Sequence, residues 1–435
     1  MAPARYANHA AHPIAIVGGG LGGLALAIGL LKHGVNIHIY EAAAEFSEIG
    51  AGVAFALNST RALGLIDQRL LDGYKKHATY NEDPAMSAIF AQYRWGVDEK
   101  KEGGKKTGEL MFNLEDIWDP EAAPKLGVRT RSCIHRARLL DELVALIPKG
   151  ITSFGKSFEA AEERDDGTIL LRFADGTTAM ASALIGCDGV KSKARDIVFG
   201  HGVQATYTSE YAFRAMAPRA EIEAALGSEL AFNGQLYCGY GAYIVTYPVE
   251  RGTFTNMVAI PLEPNQSAEW THGEWTAPAT RQEFLEVYRG WKPELVELFA
   301  RYCQPLKWGI FHLQHEESYY KGRICLLGDS AHATSPHLGV GAGMAMEDAY
   351  VLSNLIAAVS GPADIVHAFR AYDAVRRPRT QKLIKCSKLH GMAADFALEG
   401  VGDDLAKLKA TAEECFHLAW HEDLEAELED AKKLL

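Results

Sequence analysis

"PIAIVGGGLGGLALAIGLLKHGVNIHIYE", residues 13–41, decides the fold. An apolar run (13–17) ends in the glycines Gly18, Gly19 and Gly20. A helix-like stretch follows over 21–34, and a second apolar run closes on Glu41. Strand, glycine-rich turn, helix, strand is the opening of a parallel βαβ unit.

Within the turn, each position has a physical task. Gly18 permits the tight bend, Gly20 lets backbone approach a pyrophosphate, and Gly23 lets helix and strand pack closely. The helix N-terminus offers free N–H groups and a positive dipole end to the phosphates. Glu41, at the end of the second strand, is placed to accept two ribose hydroxyls. An acid there disfavours a 2′-phosphate, so the nucleotide expected is FAD or NAD rather than NADP.

Further along, 132–150 reads as helix with a proline and glycine to stop it. Residues 157–189 read as short antiparallel hairpins leading into a buried strand that ends at Cys187-Asp188-Gly189. From about 205 to 315 the pattern changes to short runs such as "QLYCGYGAYIVTYPV" (235–249), which predict a separate sheet. "GRICLLGD" (322–329) is again a buried strand, 341–359 a long amphipathic helix, and the chain from 363 onward mostly helical. The plan is α/β: a Rossmann-like nucleotide-binding domain assembled from separated stretches, with an inserted β-sheet lobe and a helical C-terminus.

The 435 residues are 48% hydrophobic and 23% charged, an ordinary globular composition. A net charge of −12 argues against nucleic acid as a partner. The basic stretch 99–106 has acidic neighbours and two glycines, the mark of a solvated loop. Seven scattered cysteines with no CxxC pair, and no secretory signal, point to a reducing compartment; the cytoplasm is expected, and no membrane association.

A third motif is "GDSAHATSPHLGVGAG" (328–343), with an aspartate, two histidines and a serine close together. A metal site on Asp329, His332 and His337 is disfavoured, because no cysteine or paired carboxylate completes a ligand set. A nucleophilic Ser330 is disfavoured because no Gly-x-Ser-x-Gly elbow surrounds it. His332 is expected to fix its own turn by a hydrogen bond. Between the first and third motifs lie Arg136 and Asp188-Gly189-x-x-Ser192-x-x-Arg195.

With these motifs in this order, the chain resembles the single-component FAD-dependent aromatic hydroxylases, whose best-known members act on p-hydroxybenzoate and salicylate. The likeness runs over nearly the whole length and is greatest to salicylate hydroxylases and fungal hydroxylases of phenolic polyketides; "EAAAEFSEIGAGVAF" (41–55) and "YDAVRRPR" (372–379) look like both. Cys187, Ser330 and Val340 stand where many relatives have alanine. The resemblance implies FAD held by Gly18, Gly20, Gly23, Glu41, Arg136, Asp188 and Asp329. The turn Gly339, Gly341, Ala342 and Gly343 would direct backbone N–H groups at the pyrimidine edge of the flavin, where charge develops on reduction.

The resemblance also implies NADH or NADPH as a transient co-substrate without a dinucleotide fold of its own. Reduced flavin and O2 would then give a C4a-hydroperoxide that transfers OH to an electron-rich ring. Arg214, in "YAFRAM", and Tyr247, in "IVTYPV", would hold the oxygen of a small phenolic substrate as catalytic residues. His337, Pro336 and Tyr243 are further pocket candidates, whereas Tyr237 and Tyr240 read as sheet residues and Trp308 as core. The expected reaction is hydroxylation of a resorcinol-type aldehyde or ketone, with or without loss of aromaticity. Decarboxylating hydroxylation of salicylate to catechol is the alternative, and a non-hydroxylating FAD-binding redox protein is an alternative of another class. The halogenases of this fold are disfavoured because W-x-W-x-I-P is absent.

The FAD-binding domain would comprise 1–80, 116–204 and 316–365, the substrate lobe 205–315 with a loop region at 81–115, and the C-terminal helices 366–435. The family also allows a homodimer.

Overall fold

The computed structural model describes residues 12–46, 52–263, 269–272 and 274–435, so 47–51 of the stretch 41–55 lie outside the described residues. The opening unit consists of strand Ile14–Val17, helix Leu21–Lys32 and strand Ile37–Tyr40. The strands pair in parallel, Ile14 opposite Ile37 and Val17 opposite Tyr40. They sit in a six-stranded sheet gathered from distant parts of the chain. Its spatial order is Tyr320–Lys321, Ile324–Leu326, Ala183–Gly186, Ile14–Val17, Ile37–Tyr40, Thr152–Ser153.

Only the edge pair Tyr320–Lys321 with Ile324–Leu326 is antiparallel. Strands covered on both faces need continuous apolar sequence, and IAIV and ALIG are buried throughout. Helix Leu21–Lys32 is likewise apolar around most of its surface, because it lies against both the sheet and helix Gly341–Ala358. At their crossing a Cβ on Gly29 would stand 2.6 Å from Ser353 Oγ.

The second sheet has eight strands in the order Thr276–Pro278, Cys303–His312, Thr206–Pro218, Phe254–Pro261, Ala242–Val249, Gln235–Gly239, Ile89–Trp95, Leu110–Glu115. Alternation along each strand divides its faces. Phe213, Ala215, Ile244 and Met257 point to a core with Phe284, Leu295 and Phe299, from helices Arg281–Val287 and Pro293–Tyr302. The opposite parity, including Ala212, Arg214, Tyr243, Val245, Tyr247 and Val258, faces a large cavity against the nucleotide-binding sheet.

Two stretches differ from the sequence reading: the region 81–115, expected as a loop, supplies strands Ile89–Trp95 and Leu110–Glu115 of the eight-stranded sheet, and a helix is shorter than expected. Helix Arg136–Val144 is present, but Ser132–His135 before it is a strand, paired antiparallel with Gly52–Phe55 and Thr79–Tyr80. Burial of Cys133 and Ile134 in that small sheet outweighs helical continuity.

Helices Ile365–Ala394, Leu405–Trp420 and Leu424–Lys432 complete the chain. Two arginines of "YDAVRRPR" are interior. Arg376 binds Glu347, Asp348 and Glu427 at 2.8, 2.8 and 3.0 Å, and Arg379 binds Glu347 and Glu422 at 2.8 and 3.0 Å. They tie the C-terminal helices to helix Gly341–Ala358. Among the described residues no helix is long and apolar enough to cross a membrane.

Candidate active site

The cavity has a volume of about 810 Å³ and runs from Glu41 and the glycine turn to the face of the eight-stranded sheet. At its nucleotide end, Gly18 has φ +103°, and a Cβ there would lie 2.3 Å from the Cys187 carbonyl oxygen. A Cβ on Gly23 would lie 2.1 Å from Gly18 O, which is the close helix–strand packing expected of it. Gly20 differs: a Cβ there would meet nothing within 4 Å and would project into the cavity. It caps helix Leu21–Lys32 without a side chain, so the first-turn N–H groups keep their donors for a ligand.

Glu41 accepts the Gly19 N–H at 2.7 Å and the Ala43 N–H at 2.8 Å, fixing the turn while its oxygens retain accepting capacity. Arg136, the first residue of its helix, lines the same end. A side-chain-free helix start, an acid beside it and an elongated cavity fit FAD.

The other two motifs meet across the sheet. Asp188 lines the cavity, but its carboxylate accepts the Ser192 hydroxyl at 2.6 Å and the Lys193 and Ala194 N–H groups, so it also builds the start of helix Lys193–Phe199. Buried Arg195 donates to Val190 O at 2.6 Å and reaches Ser330 O at 3.4 Å, clamping one loop to the other. Ser330 is fully buried and donates to Gly186 O at 2.6 Å, which makes it structural. Asp329 is exposed to the cavity, as are Gly339, Gly341 and Ala342. Gly341 opens helix Gly341–Ala358, whose N-terminus also lacks a side-chain cap.

One expectation needs correction, and two residues do more than expected. Gly343 lies in the uncapped first turn of helix Gly341–Ala358, and a Cβ on it would stand 1.8 Å from Ser59 Oγ, so its glycine also serves helix–helix contact. His332 does not fix its own turn; its Nε2 lies 2.5 Å from Asp348 Oδ2 in the next helix. Although burial opposes ionisation, His332 and Arg376 hold the Asp348 carboxyl down to about 2. Trp308 packs against the core as expected and also borders the cavity, where the Arg214 guanidinium lies 4.6 Å over its ring. Among the described residues no group of three ligand side chains could hold a metal.

On the sheet face, Arg214 sits on an interior strand with Val258 as cross-strand neighbour, and its Nε is buried without a partner. Burial pushes its pKa down, and among the described residues no carboxylate offsets this. Tyr247 lies two strands away, paired with Asn256. Its hydroxyl donates to Gly52 O at 3.0 Å, and burial pushes its pKa up to about 12.

Sequence reading missed Arg131. This buried arginine lines the cavity, 4.7 Å over the Tyr247 ring and 4.9 Å over the Phe90 ring. Its only local signal is a basic residue beginning the alternating run at 131–135. Deeper in the cavity, Tyr243 bonds His337 Nδ1 at 2.7 Å and Tyr93 bonds His390 Nε2 at 2.6 Å. Exposed Pro336 borders the same space, while Tyr237 is core and Tyr240 donates to Asp403 at 2.6 Å.

Comparison with known proteins agrees with this geometry. Residues 11–387 match the protein family described as FAD binding domain. The FAD-dependent monooxygenase pigN of Monascus ruber is 35% identical over 429 residues, covering 95% of this chain and 94% of that protein. The 6-methylsalicylate 1-monooxygenase atA of Aspergillus terreus is 34% identical over 428 residues, covering 97% and 92%. A solved salicylate hydroxylase substrate complex superposes with a TM-score of 0.82 at 29% identity, covering 97% of this chain and 98% of that one.

Proposed function

The chain belongs to the FAD-binding-domain family, and from that premise we propose that it hydroxylates a phenol carrying a carbonyl-type group ortho to its hydroxyl. It is an FAD-dependent aromatic monooxygenase that uses NAD(P)H and O2. When bound and reduced, FAD supplies an electrophilic oxygen from O2. The protein's own contribution is position, ionisation and dryness.

The observation that carries the proposal is Arg214: a buried guanidinium with no carboxylate partner among the described residues, on the cavity face of an interior strand. A phenol reacts with an electrophile far better as its phenolate, and a fixed cation in a low-dielectric cavity favours that form. The Trp308 ring lies against the guanidinium at 4.6 Å. Glu41, the Gly18–Gly23 turn and Asp329 would hold FAD at the other end of the cavity. The N-terminus of helix Gly341–Ala358 would present its positive end to negative charge there.

Two outcomes at the ring divide this class. A resorcinol-type aldehyde or ketone would gain one oxygen, with or without loss of aromaticity. Tyr247 gives that branch little support as a phenolate donor, because its proton goes to Gly52 O. A salicylate-type acid would lose CO2 to give a catechol, and Arg131 in the same cavity favours that branch. The test is product mass after incubating FAD-loaded protein, NADH and NADPH with salicylate and with 2,4-dihydroxy-6-methylbenzaldehyde. Conversion of either supports hydroxylation of an ortho-carbonyl phenol; NAD(P)H oxidation unstimulated by both would overturn it.

A further inference from the structure

Buried guanidinium groups are costly unless paired, and this protein pairs most of its own. Arg376 and Arg379 take five carboxylate contacts between them. Arg94 donates to Gln235 Oε1 at 2.7 Å and to Glu229 at 3.2 Å. Arg195 is bound by backbone carbonyl oxygens.

Arg131 is the exception beside Arg214. It is 4% exposed, and among the described residues its one hydrogen bond is from Nη1 to Phe90 O at 3.1 Å. Its Nε is buried with no acceptor among the described residues. The ring faces of Phe90 and Tyr247 fix its plane, and Gly234 makes room for it, since a Cβ there would lie 2.7 Å from Arg131 Cδ. The guanidinium is thus locked in orientation, borders the cavity, and has N–H donors to spare.

Resting on the phenol reading above, we infer that Arg131 is a specificity-determining residue that binds an ionised carboxylate of the substrate, separate from the phenolate oxygen held by Arg214. A planar fork matches a carboxylate with two parallel N–H···O bonds, whereas a neutral amide or aldehyde oxygen takes only the weaker, uncharged form. Two carboxylate-free guanidiniums in one cavity select a ligand with two acidic oxygens, and Arg131 discriminates the acid from its neutral isosteres.

The test titrates FAD-loaded wild type, Arg131→Met and Arg131→Lys with salicylate and with salicylamide, following flavin absorbance and the ligand-induced rise in Tm. Wild type is expected to bind salicylate at least about tenfold more tightly than salicylamide, the size of one charge-assisted hydrogen bond. Arg131→Met should abolish that preference while keeping salicylamide affinity, and Arg131→Lys should retain part of it. Without ligand, Arg131→Met should melt no lower than wild type, because it removes an unpaired buried charge. A Met variant that fails to fold, or that loses both ligands equally, assigns Arg131 a structural role and overturns the inference. So does a wild type that binds both ligands equally. If neither ligand binds wild type, the phenol reading itself falls.

Discussion

His337 Nε2 stands 3.2 Å from Glu210 Oε2, and the same ring bonds the Tyr243 hydroxyl through Nδ1 at 2.7 Å. The ring therefore lies between a buried carboxylate and a tyrosine hydroxyl. A buried acid thereby sets the orientation of two groups on the cavity wall.

Burial opposes ionisation of Glu210, but His337 outweighs it and holds the carboxyl below its ordinary value. A depressed folded pKa adds stability that is present above the unfolded carboxylate range and lost as pH falls through the folded value. Glu210→Gln should therefore lower stability at pH 7 by up to about 3–5 kcal/mol, the cost of breaking a buried pair, and Tm with it. The gap should close in acid. A Tm series from pH 7 downward with a constant gap would count against this account.

Asp395 shows the opposite shift. Burial first, and Glu210 second, push its carboxyl up to about 8. A raised folded pKa gives stability that is full below the unfolded value and lost as pH rises through about 8. Asp395→Asn should keep the oxygen that accepts the Ala397 N–H and melt above wild type. Its advantage should grow from pH 5 to pH 8 and then level off. Parallel melting curves across that range would refute it.

Gly343→Ala should destabilise the protein by about 1–3 kcal/mol through overpacking. The added Cβ meets Ser59 Oγ and Cβ at 1.8 and 2.8 Å. Ser59→Gly in the same chain should recover most of the loss, which a denaturant double-mutant cycle measures. Independent, additive losses would show that the contact is not the cause.

Arg214→Gln should leave FAD bound while lowering product yield by at least about a hundredfold, a loss of roughly 3 kcal/mol of stabilisation. NAD(P)H consumption and product are measured together. Unchanged product formation would remove Arg214 from the reaction.

Cofactor retention is read directly from colour and absorbance. Glu41→Arg breaks the acceptor that organises Gly19 and Ala43, and Asp329→Ala removes the cavity-facing acid of the third motif. Both proteins should purify largely without FAD. A fully yellow preparation of either would release that residue from the cofactor site.

What residues 13–41 and the two later glycine-aspartate motifs determined by themselves is the nucleotide-binding half of this protein. Their signals are local: apolar runs two layers deep, a glycine spacing that only a tight turn and close packing require, and an acid one strand later. The distance from Gly18 to Glu41 is short enough for the chain to specify the turn without help from elsewhere. Arg214 was legible for a similar reason, as a lone charge in an apolar run.

The tertiary structure decided everything that depends on who meets whom across the chain. His332 looked like a turn residue until helix Gly341–Ala358 brought Asp348 to it. Gly343 owes its need for glycine partly to Ser59, which fills the space beside it. Arg131 carried almost no local signal, because its character comes from a ring at Phe90, a ring at Tyr247 and the absence of a carboxylate among the described residues around it. Burial sets the cost of a charge and its neighbours set the compensation, and both are properties of the packed cavity rather than of any stretch of sequence.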